Sequence, residues 1–188
     1  MVQGSGIDSS LNDFGRQQAA AFYRSYRQEG FDKIYVSNLK RTQETVQGFI
    51  DDKIPFEVDE DLREISWGNQ EGVPFTEETS TVYQQTCEAW TKGNLNLRIE
   101  GGETPLEVES RQRRSMDRIL SKSGDKILIC THGRAMRILL CWTTGYPLTY
   151  MDNFPHANVG LYKMVWTGAQ YRVEIFNQQS HLEAISEI

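Results

Sequence analysis

Cysteine is scarce in this sequence: three in 188 residues, at Cys87, Cys130 and Cys141. An odd number at spacings that no zinc site uses excludes a disulfide-stapled scaffold and a Cys-pair metal centre. It points to a reducing, cytoplasmic setting. Long apolar runs are missing too. The longest, Ile127 to Cys130 and Ile138 to Trp142, are far too short to span a bilayer, and Met1 to Gly6 lacks the charged-then-apolar pattern of a signal peptide. There is no basic excess: 20 Lys and Arg against 26 Asp and Glu leave −6. That balance argues against a surface built for nucleic acid, and a membrane partner is not expected, but a local basic pocket for a small anion remains open. Walker loops, His-Glu-x-x-His motifs, internal repeats and low-complexity tracts do not occur. What is present is an ordinary globular mixture, 38% hydrophobic and 24% charged. A chain of about this length buries roughly 70% of its unfolded surface and needs no staple.

Helical and strand patterns alternate along the chain. Ser10-Leu11-Asn12-Asp13 reads as a capping box, with Leu11, Phe14, Phe22 and Tyr26 along one helical face and Gly30 as the stop. Phe31 to Ser37 reads as a short buried strand. Leu39, Thr42, Val46, Phe49 and Ile50 predict one helix from about 38 to 50, and Phe56 to Val58 is extended. Leu62 to Pro74 is a glycine-rich, charged loop, and 75 to about 92 is helical. Thr104 can cap a further helix with Pro105 at its first position. Lys126 to Thr131 reads as a strand buried on both faces, His132-Gly133 as a sharp junction into a helix, and Val159 to Phe176 as a hairpin around Thr167 to Ala169. The order predicts a single α/β domain: a three-layer α/β/α sandwich with a mostly parallel central sheet, and chemistry at the carboxyl ends of its strands.

Two strand ends carry candidate residues. His132-Gly133 joins a strand to a helix N-terminus, where glycine permits a tight turn and backbone N–H groups favour an anion. A histidine that only satisfies local backbone explains that segment equally well. Arg41 lies off the buried stripe in the first turn of its helix, so it can rise towards the strand ends and pair with phosphate; a solvated arginine is the alternative. Glu64, between Leu62 and Ile65, is expected to be partly buried with a raised pKa, which suits proton donation to a leaving alkoxide; a salt bridge or loop cap is the alternative. Gly101-Gly102-Glu103-Thr104 is a turn that capping explains about as well as substrate contact. Arg111, Arg113, Arg114 and Arg118 read as a solvated helix face paired with Glu107 and Glu109. His156 and His181 read as structural.

Together these motifs resemble the histidine phosphatase superfamily, in its phosphoglycerate-mutase-like branch. The resemblance runs through Gln3-Gly4 with Asp8 and Gly15, Tyr35 to Thr42, Leu62-Arg63-Glu64 with Gly68 and Glu71-Gly72, Gly101 to Thr104, and Ile127 to Gly133. It implies that Arg41 clamps a phosphoryl group, that His132 hydrogen-bonds it, and that Glu64 is the general acid and base. By the same resemblance Gly133 helps bind phosphate, Gln3, Gly4 and Ser5 line the pocket mouth, and Glu103 and Thr104 sit close by. No metal or cofactor is implied. The implied partner is a small phosphorylated metabolite or inorganic phosphate, and the implied activity is phosphatase or mutase chemistry through phosphohistidine.

The sequence departs from the family at one point. The family pattern opens with a strand ending in Arg-His-Gly, whose histidine is the nucleophile; no Arg-His-Gly occurs in these 188 residues. The expectation is a sheet short of one central strand, with edges left unpaired, and a chain that binds phosphate but turns over little. Such an edge could also favour a homodimer.

Overall fold

Asn12, rather than Ser10, opens the first helix. Its side-chain oxygen accepts the Gly15 N–H at 2.8 Å, and α1 runs Asp13–Tyr26. The computed structural model describes residues 1–74, 76–122, 124–183 and 185. Strand β1 (Lys33–Val36) is shorter than its apolar run. The single helix expected over 38–50 is two, α2 (Lys40–Thr45) and α3 (Gln47–Asp51), broken at Val46. The break follows from packing. Gly48 lies under the Tyr23 ring, where a Cβ would come within 2.6 Å, and the turn at Val46 lets both Val46 and Phe49 bury against α1. Strand β2 is Phe56–Val58, and α4 (Glu77–Thr91) opens on a reciprocal Thr76–Thr79 cap. Phe75, where that helix was expected to begin, lies outside the described residues. Then come α5 (Pro105–Lys122), β3 (Ile127–Cys130), α6 (Gly133–Thr143) and the hairpin strands β4 (Leu161–Trp166) and β5 (Tyr171–Gln178).

Strand β1 is central and parallel to both neighbours, with Ile34 opposite Phe56 on β2 and Leu128 on β3. Alternation sends its side chains to two faces. Ile34, Val36 and Leu128 pack on Phe22, Val46 and Phe49 of the α1–α3 side. Tyr35 packs with Leu62, Met116, Ile119 and Leu139 on the α5–α6 side. Helices thus cover both faces of a parallel sheet, the α/β/α sandwich that the element order predicts. A third cluster, built on Trp67, Trp90, Ile138, Met151 and Phe154, joins α4 and α6 to the hairpin.

Burial of β3 differs from expectation. Leu128 is buried, but Ile127, Ile129 and Cys130 are half-buried. Among the described residues β3 is paired only along its β1 edge, and β4 only with β5, in a separate antiparallel sheet. An apolar strand with one unpaired edge keeps that edge open. Among the described residues no helix is long and apolar enough to cross a membrane.

Candidate active site

The carboxyl ends of β1 and β3 lie side by side, because Val36 pairs with Cys130. One residue beyond β1 comes Ser37; two beyond β3 comes His132. Their side chains meet in a hydrogen bond of 2.7 Å from the imidazole Nε2 to the serine Oγ. The other ring nitrogen, Nδ1, accepts from Arg41 Nε at 3.2 Å. A guanidinium can only donate, so Nδ1 carries no proton and Nε2 does. Ser37 is itself held by the Leu39 N–H and by Thr42, so the imidazole stands on a buried hydroxyl chain. Burial first, and then the positive charges of Arg41 and Arg111, lower the His132 pKa from 6.5 to about 3. The ring is therefore neutral near pH 7.

Arg41 rises from the first turn of α2. Its Nη1 donates to the Ile7 carbonyl at 2.6 Å and its Nη2 to the Gly4 carbonyl at 3.2 Å. The 4–7 segment is fixed by Glu71. The carboxylate of Glu71 accepts the N–H groups of Gly6 and Trp67, and Ser5 N–H reaches the Ile65 carbonyl at 3.2 Å. A Cβ on Gly4 would collide with the Glu71 carboxylate, which is the physical need for glycine there. Gln3 is exposed and accepts from Ser9 Oγ at 3.3 Å.

Glu64 is buried, at 7% exposure. Its Oε1 accepts the N–H groups of Ile65 and Ala135 and its Oε2 that of Arg134, so it sits on the first turn of α6 directly after His132 and Gly133. Burial raises its pKa, and the three backbone N–H bonds pull the other way. Its negative charge also acts on Arg41, whose own pKa is lowered by burial in spite of it. Residues 41, 64 and 132 are thus brought together from three distant stretches of sequence.

Glu103 and Thr104 both have partners within the fold. Glu103 accepts from Arg63, Arg111 and the Ser66 N–H. Thr104 caps α5, its Oγ1 accepting the Glu107 N–H while the Glu107 carboxylate accepts the Thr104 N–H. Arg113 and Arg118 are exposed, the first pairing with Glu109 and the second with the buried Asp59 and with Asp61. Arg111 departs from its expected solvated face: its side chain is 3% exposed. Helical spacing could have found it, since 108, 111, 115 and 119 form one stripe and the other three are fully buried. Ser37 and Glu71 order the site as well, and a serine directly after an apolar strand is the only sequence signal for the first. The ring of His156 packs on Gly133, within 3.2 Å of where a Cβ would stand, and its pKa is lowered by burial and then by Arg137 and Arg134. His181 donates to the Val159 carbonyl at 3.0 Å and packs edge-on against Phe22 and Tyr26. Among the described residues no cluster of His, Cys, Asp and Glu has the arrangement of a metal site.

A fixed guanidinium, a neutral imidazole that donates from Nε2, and a buried carboxyl at a helix N-terminus together define a site suited to a tetrahedral oxyanion. The chain belongs to the histidine phosphatase superfamily (branch 1), whose family model matches residues 1–179. It is 29% identical over 190 residues to a probable phosphoglycerate mutase of Yersinia enterocolitica, covering 97% of this chain and 87% of that one. Two solved structures share its fold. One is a mycobacterial glucosyl-3-phosphoglycerate phosphatase in complex with inorganic phosphate (TM-score 0.80, 20% identity, 96% of this chain and 92% of that one). The other is the α-ribazole phosphatase of Shigella flexneri (TM-score 0.79, 20% identity, 95% and 88%). These phosphatase and mutase relatives are consistent with a phosphomonoesterase-like enzyme.

Proposed function

We propose that the chain is part of a phosphatase that acts on a small phosphorylated metabolite through a phosphohistidine intermediate. The observation that carries this is the convergence of Arg41, His132 and Glu64 at the carboxyl ends of β1 and β3. Arg41 holds the phosphoryl oxygens with its two uncommitted N–H groups, the Gly133 N–H at the start of α6 is a further donor, and His132 joins them by turning its Nε2–H from the Ser37 hydroxyl to a phosphoryl oxygen. Glu64, its pKa raised by burial, gives a proton to the leaving oxygen and takes one from the water that hydrolyses the intermediate.

His132 is not the attacking histidine. His132 has both ring nitrogens engaged, and a ring that steadies phosphoryl oxygens cannot also attack phosphorus from the opposite side. The unpaired edges of β3 and β4 are consistent with a nucleophile carried on a strand outside these residues. The chain as given therefore binds phosphate and turns over little. Titration with inorganic phosphate, followed by 31P NMR, is expected to give saturable binding that Arg41→Ala abolishes. Robust hydrolysis of p-nitrophenyl phosphate by these 188 residues, lost in His132→Ala, would overturn the assignment of the nucleophile; absence of phosphate binding would overturn the site. The mutase relative favours a second reading, phosphoryl transfer between phosphoglycerates. Incubating the complete protein with 3-phosphoglycerate separates the two, since a mutase yields 2-phosphoglycerate and a phosphatase yields glycerate.

A further inference from the structure

Loop 61–66 carries Glu64, and a loop that must present a proton donor needs something to hold it still. One side chain does most of this. Arg111 projects from α5 beneath the loop, and all five of its N–H donors are engaged. Nη1 donates to the carbonyls of Asp61 at 2.7 Å and Arg63 at 2.9 Å. Nη2 donates to the carbonyl of Glu64 at 3.1 Å and to Glu103 Oε2 at 3.0 Å, and Nε donates to Glu103 Oε1 at 2.9 Å. Glu103 completes the clamp by accepting the Ser66 N–H at 2.9 Å. The ion pair thereby holds the carbonyls of 61, 63 and 64 and the N–H of 66, the backbone on both sides of the acid.

We propose that the Arg111–Glu103 pair is the positioning device for Glu64, holding its carboxyl in the dry pocket against the first turn of α6. The inference rests on the role given to Glu64 above and adds two positioning residues to it. Only an arginine meets the geometry. Three carbonyls and one carboxylate are reached by a flat fork, whereas a lysine ammonium offers three donors from a single point. Arg111→Lys therefore keeps the charge and loses the clamp. A loosened loop lets water reach the Glu64 carboxyl and relieves the burial that raises its pKa.

The test is 13C NMR of glutamate labelled at the side-chain carboxyl, with the Glu64 signal identified by its loss in Glu64→Gln. In Arg111→Lys the Glu64 titration midpoint is expected to fall towards the ordinary carboxyl value. A folded Arg111→Lys variant with an unmoved midpoint would overturn the proposal. Should that variant not fold, Glu103→Gln is judged by the same criterion, because it keeps the shape of the partner and removes its charge. Phosphate titration of the unsubstituted chain is run alongside. Failure there counts against the proposed function, whereas an unmoved Glu64 midpoint counts against the clamp, so the two failures are told apart.

Discussion

Protonating His132 forces two changes. Nδ1 must give up the Arg41 Nε–H bond, and a second positive charge appears beside the first. A fall in pKa from 6.5 to about 3 corresponds to about 5 kcal/mol, with burial as its first cause and Arg41 as its second. The sign follows from the depressed folded value. Above pH 6.5 neither folded nor unfolded chain protonates this ring, and the stability is fully present. Below it the unfolded chain binds a proton that the folded chain refuses, so stability falls by about 1.4 kcal/mol per pH unit down to the folded pKa. At pH 5.0 the loss from His132 alone is about 2 kcal/mol. His132→Gln cannot titrate and keeps an acceptor and a donor in the pocket. Urea unfolding at pH 7.5 and 5.0 measures both proteins. The unsubstituted chain is expected to lose about 2 kcal/mol more than the variant, which is about 1 M in urea midpoint. Equal losses would refute the neutral, arginine-bonded imidazole.

Arg41→Lys is expected to weaken phosphate binding at least about tenfold, because a point charge replaces a two-pronged donor; calorimetric titration checks it, and unchanged affinity contradicts the clamp. Gly4→Ala is expected to destabilise by about 1–3 kcal/mol through the collision with Glu71, and to weaken phosphate binding as well because the Gly4 carbonyl orients Arg41. Thermal unfolding and the same titration read the two effects separately. Thr104→Ala removes the side-chain cap of α5 and is expected to lower stability by about 1 kcal/mol; thermal unfolding of Thr104→Ser, which keeps the hydroxyl, should restore it.

The parallel sandwich was legible because short apolar runs and helical stripes alternate, and local periodicity is what decides element type. The junction at His132-Gly133 and the first-turn placement of Arg41 were legible for the same reason: both follow directly from where a strand or helix ends. Arg111 was not. Its charge outweighed its position on the buried stripe of α5, and what buries it is a set of backbone carbonyls from a loop some 50 residues earlier. No helical pattern records such partners. The break at Val46 was hidden likewise, since it depends on how closely Gly48 approaches the Tyr23 ring of α1. Glu103 and Thr104 follow a glycine turn far from the acid loop in sequence, and only the folded chain specifies that Glu103 bonds Arg63, the Ser66 N–H and Arg111 while Thr104 caps α5.

The site gains its order from groups that never touch an oxyanion. An arginine has five N–H donors, and Arg41 commits one to His132, one to Ile7 and one to Gly4, leaving two to meet two oxygens of a phosphoryl group. The two carbonyls that steer it belong to a segment whose glycines yield space to Glu71. That carboxylate ties the acid loop, where it accepts the Trp67 N–H, to the 4–7 segment, where it accepts the Gly6 N–H. Arg111 and Glu103 brace the same loop from the α5 side. The phosphate clamp and the proton donor therefore share one support, and a change in loop 61–71 should disturb both at once. Separate measurements of phosphate affinity and of the Glu64 titration in Glu71→Gln test this coupling. Both are expected to move together, whereas movement of one alone would mean that the two halves of the site are held independently.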